Sequence, residues 1–226
     1  MLKDDYLSIS GIISCHICPR RFYFMQSGFL GGTEPFRYTI CKQISTNLGY
    51  NMGMGKLWEE IEDILHDSNA EIYDFFEKTY KLCRDKKWEI PDELDVPVRS
   101  ERLGIHGIVD KIYDKGNNFA ITRSSRPPDA GVYSLDRLRL ACYVACIEET
   151  FGKRLEGGCV EYIAGGISRY AKPGPRDRRS MIRAIKSAKR IVNGEVPKKP
   201  MNAPCESCIY SEQCNSGPKS LSLFVD

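Results

Sequence analysis

No stretch of the 226-residue chain approaches the roughly 20 consecutive apolar residues that cross a bilayer, which argues against a membrane-spanning helix. Its opening, MLKDDYLSISGIISC, has neither the basic start nor the long apolar run of a secretory leader. A cytoplasmic protein is therefore expected, with no membrane partner. Only 12 prolines and 19 glycines are present, too few for a fibrous chain, and there is no internal repeat or low-complexity tract. An excess of one charge is missing too. The 33 Lys+Arg against 30 Asp+Glu leave a net charge of +3, which neither demands nor excludes a nucleic-acid partner. A 42% hydrophobic content excludes disorder, and the length suits a single domain with its own core.

What is present in quantity is cysteine. Ten cysteines are about half the density of a disulfide scaffold, and in a reducing compartment clustered thiols point to a metal. Cys205, Cys208 and Cys214 sit in a short loop bracketed by Pro204 and Gly217, so their thiolates can turn toward one ion or cluster. Three thiolates complete neither a zinc site nor a four-iron cluster. The best source of a fourth ligand is the segment Cys15-His-Ile-Cys18-Pro-Arg-Arg, where Cys18 precedes Pro19 as iron–sulfur ligands often do. Zinc held with Cys15 or His16 stays open. Cys41, Cys83, Cys142, Cys146 and Cys159 are isolated in apolar contexts and read as core residues.

Periodicity predicts helices over residues 8–28, 54–66, 69–87, 132–151 and 176–193. Residues 29–50 read as irregular. Alternation predicts strands over 94–102, 105–113, 118–124 and 157–163, with turns at Gly104 and Gly116-Asn117. The order gives an α/β core with a mixed sheet and a helical flank. Positive charge concentrates between Arg176 and Lys199, which is either a solvated helix face or a phosphate-tracking stripe, with Arg20 and Arg21 as an extension.

The strand meander carries the segment that bears chemistry. An Asp at a strand end, followed across a turn by a strand with acidic-x-Lys, is the layout of a two-strand metal site. Asp110 supplies the first carboxylate. The expected acid is Ile121 and the expected lysine is Arg123. Ile121 cannot ligate a cation, and a guanidinium with a pKa above about 12 cannot trade a proton.

These residues resemble the CRISPR-associated RecB-like exonucleases, the fourth Cas family. The resemblance covers nearly the whole chain. It rests on Ile9 to Tyr23 with its Cys18-Pro-Arg-Arg, on Leu103-Gly-Ile-His-Gly-Ile-Val-Asp110, on Leu138 to Tyr143, and on Cys205-x2-Cys208-x5-Cys214. It implies one RecB-like domain over residues 1–226, of PD-(D/E)XK nuclease fold. A helical flank would span 1–90, a sheet core 91–165, and a basic helix with the iron–sulfur loop 170–226. It implies a 4Fe-4S cluster on Cys18, Cys205, Cys208 and Cys214. DNA, single-stranded or with overhanging ends, and CRISPR adaptation integrase proteins are the partners implied.

The departures point away from catalysis. Where the family has a helical His, this chain has Leu57 and Trp58, with His66 the nearest histidine. The Gln of the family's Gln-x-x-x-Tyr is Arg139, although Tyr143 remains. Only Asp110 is left of the metal constellation. The favoured reading is a nuclease-inactive member that binds DNA or adaptation partners through Arg20, Arg21, Arg123, Arg139 and Tyr143. A second is an active Mg²⁺- or Mn²⁺-dependent exonuclease whose ligands have moved to Glu59, Glu60 or Glu62 and to Glu101 or Asp114. A third is a zinc- or cluster-stabilised structural protein.

Overall fold

A computed structural model describes residues 6–28, 36–50, 53–66 and 68–215. The chain opens with a two-residue strand β1 (Leu7–Ser8) that runs straight into helix α1 (Ile9–Ile17). Ser8 caps that helix, its hydroxyl accepting from the Gly11 N–H at 3.0 Å. The single helix expected over 8–28 is two, α1 and α2 (Pro19–Gln26). The break is local chemistry. A residue before proline is pushed out of helical space, and Cys18 is extended, with φ −159° and ψ 116°. Pro19 then starts α2, where its missing N–H costs nothing. The kink separates the two neighbouring cysteines: Cys15 stays in the core while Cys18 turns elsewhere.

Residues expected to be irregular contain helix α3 (Phe36–Asn47), followed by α4 (Met54–Leu65) and α5 (Ala70–Arg84). The strands are β2 (Glu93–Ser100), β3 (Ile105–Tyr113), β4 (Asn118–Arg123), β5 (Gly158–Tyr162) and β6 (Ile167–Ala171). Helix α6 (Ser134–Phe151) connects β4 to β5. Helix α7 (Pro175–Val192) and a short α8 (Ser211–Asn215) complete the order. The sheet is mixed. It runs β1-β3-β4-β5-β6, and β2 pairs along the other edge of β3. β4 and β5 are parallel, as a helical crossover requires, whereas β3–β4 and β5–β6 are antiparallel. The expected α/β class with a mixed sheet is thus observed. β1 and β6 escape sequence reading because the first is two residues long and the second is half-exposed.

β1 pairs with the start of β3 and β4 with its end, so the edge of β3 between them is served by side chains. There the Tyr143 hydroxyl donates to the Ile108 carbonyl at 2.7 Å. Gly107 is required at this point. A β-carbon on it would lie 2.8 Å from Ile9 Cδ1 and 3.2 Å from Tyr143.

Two apolar cores flank the sheet. The larger packs α1, α6 and α7 against Val109, Ile112, Ile121 and Val160; the smaller joins α3, α4 and α5 around Phe76 and Ile61. Where α3 crosses the sheet, the contact is polar. Lys111 and Glu161 are both buried, with 2.8 Å between ammonium and carboxylate. Ser45 on α3 donates to Glu161 at 2.9 Å and lies 2.9 Å from the Thr122 hydroxyl. Tyr113 donates to the other Glu161 oxygen at 3.2 Å. Burial and the Glu161 charge together push the Tyr113 hydroxyl well above the ordinary tyrosine range. Every polar group in this layer named here has a partner, the condition for burying charge at all.

Candidate functional site: a cationic cleft and a cysteine cavity

A cleft of about 330 Å³ opens between α1, α6 and the ends of β3 and β4. Five of the residues expected to act together line it: Arg21, Asp110, Arg123, Arg139 and Tyr143. The sheet delivers two of them. Asp110 ends the exposed half of β3, and Arg123 projects from β4 on the same side as Ile121 because side chains alternate.

Asp110 is fully engaged. One carboxylate oxygen accepts from the Thr122 N–H at 2.7 Å. The other binds the ammonium of Lys42, a residue of α3 that also pairs with Asp95. Burial works against the Lys42 charge, but Asp110 and Asp95 outweigh it and hold its pKa above the ordinary lysine value. A lysine pKa raised by folding contributes stability that is fully present below the unfolded value near 10.4 and is lost only as pH rises through the folded value. Across the physiological range Lys42 is therefore a fixed cation.

Arg123 and Arg139 do not pair with Asp110 but with Asp136, at the start of α6. Arg139 Nη1 lies 2.7 Å and Arg123 Nε 3.1 Å from the same Asp136 oxygen, the latter without hydrogen-bond alignment. Tyr162 donates to the second oxygen at 2.8 Å. One buried carboxylate thus holds two guanidiniums. Burial and the neighbouring Arg123 charge lower the Arg139 pKa, with Asp136 opposing them. Arg123 and Arg139 exceed Asp136 by one positive charge, the two carboxylates on Lys42 offset it, and Arg21 tips the balance positive. Such a cleft is built for an oxyanion, and a planar guanidinium grips phosphate through two parallel N–H bonds.

The remaining predicted residues lie elsewhere. Arg20 does not reach the cleft. It donates to the Pro197 carbonyl at 3.3 Å and stacks 5.6 Å from the Phe24 ring centre, tying α2 to the C-terminal segment. Tyr143 lines the cleft with its hydroxyl committed to the β3 backbone, so it packs and plugs. Leu57 is buried in the smaller core, and Trp58 belongs to an aromatic cluster with Tyr73 and Phe76. Glu59, Glu60, Glu62, Glu101 and Asp114 are absent from the cleft lining. Glu62 accepts from Ser68, Glu101 pairs with Arg99, and Asp114 accepts from Asn117.

A second, small cavity brings together Cys18, Cys205, Cys208 and Cys214 with Phe24 and Pro204. Cys15 is not among them. It is buried in the larger core, where burial raises its pKa and a hydrogen bond with Ser187 of α7 works the other way. Cys41, Cys83, Cys142 and Cys146 are buried core residues, as expected, and burial pushes Cys41, Cys83 and Cys146 up to about 12. Among the described residues, no three His, Cys, Asp or Glu side chains converge closely enough to hold one metal ion. The four thiols line one small cavity without converging at a point. Arg21 lines both cavities, which makes α2 the wall between them.

Lys42, Asp95 and Asp136 were not legible as site residues. Lys42 lies in a segment without helical patterning, and Asp136 reads as an ordinary acid in a first helical turn.

Fold and site define an α/β protein with a cationic, lysine-neutralised cleft beside a four-cysteine cavity. No family model matches the chain. An uncharacterized protein of Archaeoglobus fulgidus is 24% identical over 225 residues, spanning 96% of this chain and 95% of its own length, so the likeness runs end to end. No helix among the described residues is long and apolar enough to cross a membrane.

Proposed function

We propose that this chain is a CRISPR-associated iron–sulfur protein of RecB-like nuclease fold that binds DNA without cleaving it, in company with the adaptation integrase. The observation that carries the reading is Lys42. Its ammonium occupies the carboxylates of Asp110 and Asp95, where a metal-dependent nuclease would share carboxylates with a dication. With isoleucine at 121 and arginine at 123, the chain offers a fixed cation and no second cleft carboxylate free to ligate. Phosphate binding survives such a replacement, because charge alone holds a phosphate. Generating hydroxide does not. Cys18, Cys205, Cys208 and Cys214 would hold a 4Fe-4S cluster, whose role here is to join α2 to the C-terminal loop.

The test is a cleavage assay on single-stranded and overhang-bearing DNA with Mg²⁺ or Mn²⁺, using anaerobically purified protein. Salt-sensitive binding without cleavage is expected. Metal-dependent cleavage abolished by Asp110→Ala would overturn the reading. A companion variant, Lys42→Ala, vacates two carboxylates. Millimolar Mn²⁺ should then raise its melting temperature by several degrees while leaving wild type unmoved; equal responses would show that Lys42 does not fill the cation position. For the cysteines, Cys208→Ser should lose iron, sulfide and visible absorbance. A brown, iron-replete variant would remove Cys208 from the ligand set.

A further inference from the structure

α7 is where the charge of this protein is concentrated. It carries seven cations and one acid, so the rest of the chain, with 26 Lys+Arg against 29 Asp+Glu, is slightly acidic. Arg176, Arg179, Arg183, Lys186 and Arg190 follow the 3-4-3-4 spacing that puts them in one line, about 21 Å long. All five are exposed, flanked by Arg178 and Lys189. Among the described residues only Arg190 has a carboxylate partner, Glu195. The helix's apolar side is spent on the core through Met181, Ile185 and Ala188, which leaves nothing to enter a membrane.

We infer that this line of cations is a docking surface for double-stranded DNA, separate from the cleft. The inference rests on the DNA-binding reading above and gives the duplex part of that DNA a surface of its own. Ile9, Ile13 and Ile17 of α1 face the cleft, whereas Cys15 faces Ser187 of α7. α1 thus stands between the two surfaces. With helix axes about 9 Å apart, the outer line of α7 is on the order of 20 Å from the cleft. A rigid row of about 21 Å covers the axial rise of roughly six base pairs at 3.4 Å each, over which a duplex holds its phosphates in fixed positions. Five of the seven cations are arginine, the side chain that pairs with phosphate bidentately.

Fluorescence anisotropy with a blunt duplex and with a single-stranded oligonucleotide, over a salt series, tests this. The variant Arg179→Ala/Arg183→Ala/Lys186→Ala alters exposed side chains only, and its melting temperature checks the fold. Duplex affinity is expected to fall at least tenfold and the salt slope to drop by about 3, with single-strand affinity nearly unchanged. Arg139→Ala should do the reverse. An unchanged duplex slope, or equal losses for both DNAs, overturns the inference. So does displacement of the duplex by polyglutamate as readily as by unlabelled duplex, which would mark a surface for acidic proteins. Single-strand binding without duplex binding by wild type sinks the inference and leaves the cleft reading standing; no binding of either DNA sinks both.

Discussion

Glu161→Gln should unfold about 6–20 °C below wild type, a loss of about 3–5 kcal/mol. Lys111 and Glu161 are 1% and 3% exposed, so neither can turn to water when its partner is lost. Glutamine keeps the shape, and its one carbonyl oxygen can still accept from Ser45 and Lys111, while its amide nitrogen faces the Tyr113 hydroxyl, which must then turn from donor to acceptor. The charge is gone, and the Lys111 ammonium is left uncompensated between the sheet and α3. The penalty is therefore that of a buried lone cation and not that of a cavity. Replacing both partners, as Lys111→Met with Glu161→Gln, should return most of the loss, because burying no charge costs less than burying half a pair. Thermal melting of the two single variants and the double variant decides the matter. Additive losses would show that the pair is not coupled and that the layer is held by its hydroxyl bonds.

Asp136→Asn should cost about 3 kcal/mol and leave a distinct signature. Two guanidiniums, at 26% and 18% exposure, share that one carboxylate. Without its charge they repel each other in a partly buried place, and the Tyr162 hydroxyl loses its strongest acceptor. An added oxyanion can take the place of the carboxylate. Inorganic phosphate should accordingly stabilise Asp136→Asn by several degrees more than it stabilises wild type, and Arg139→Gln in the same background should restore part of the loss. If phosphate acts equally on both proteins, the cleft does not select an oxyanion through Arg123 and Arg139.

The residues that sequence reasoning placed in the cleft were those set by strand alternation. Asp110, Ile121 and Arg123 lie on neighbouring strands at positions whose side follows from a period of two, and the turn at Gly116-Asn117 fixes the pairing. Arg139 and Tyr143, one helical turn apart, follow by the same kind of rule. What escaped was whatever depends on a third element arriving from a distance. Lys42 reaches Asp110 only because α3 lies across the sheet, and α3 hides in the sequence because its buried side mixes Ile40 and Ile44 with Ser45. Arg123 and Arg139 were expected beside Asp110; Asp136 claims them because the first turn of α6 returns over the end of β4. Arg20, next to Arg21 in sequence, points about 100° away around the helix, toward Pro197 and not toward the cleft.

The contacts of α1 and α2 have a consequence for biosynthesis. These helices emerge long before some of their packing partners: Ser187 on α7 for Cys15, Pro197 for Arg20, and Tyr210, whose ring stacks 6.1 Å from Phe24. At about 5–20 residues per second, some 180 residues of synthesis put an interval on the order of ten seconds or more between the emergence of α2 and that of Tyr210. Throughout it, Phe24 lacks the Tyr210 ring it packs on, although Ile12, Ile13 and Phe22 can already join the core built with β3 and α6. The nascent chain therefore exposes one aromatic face of α2 until the segment around Tyr210 emerges, the kind of apolar surface a holding chaperone covers.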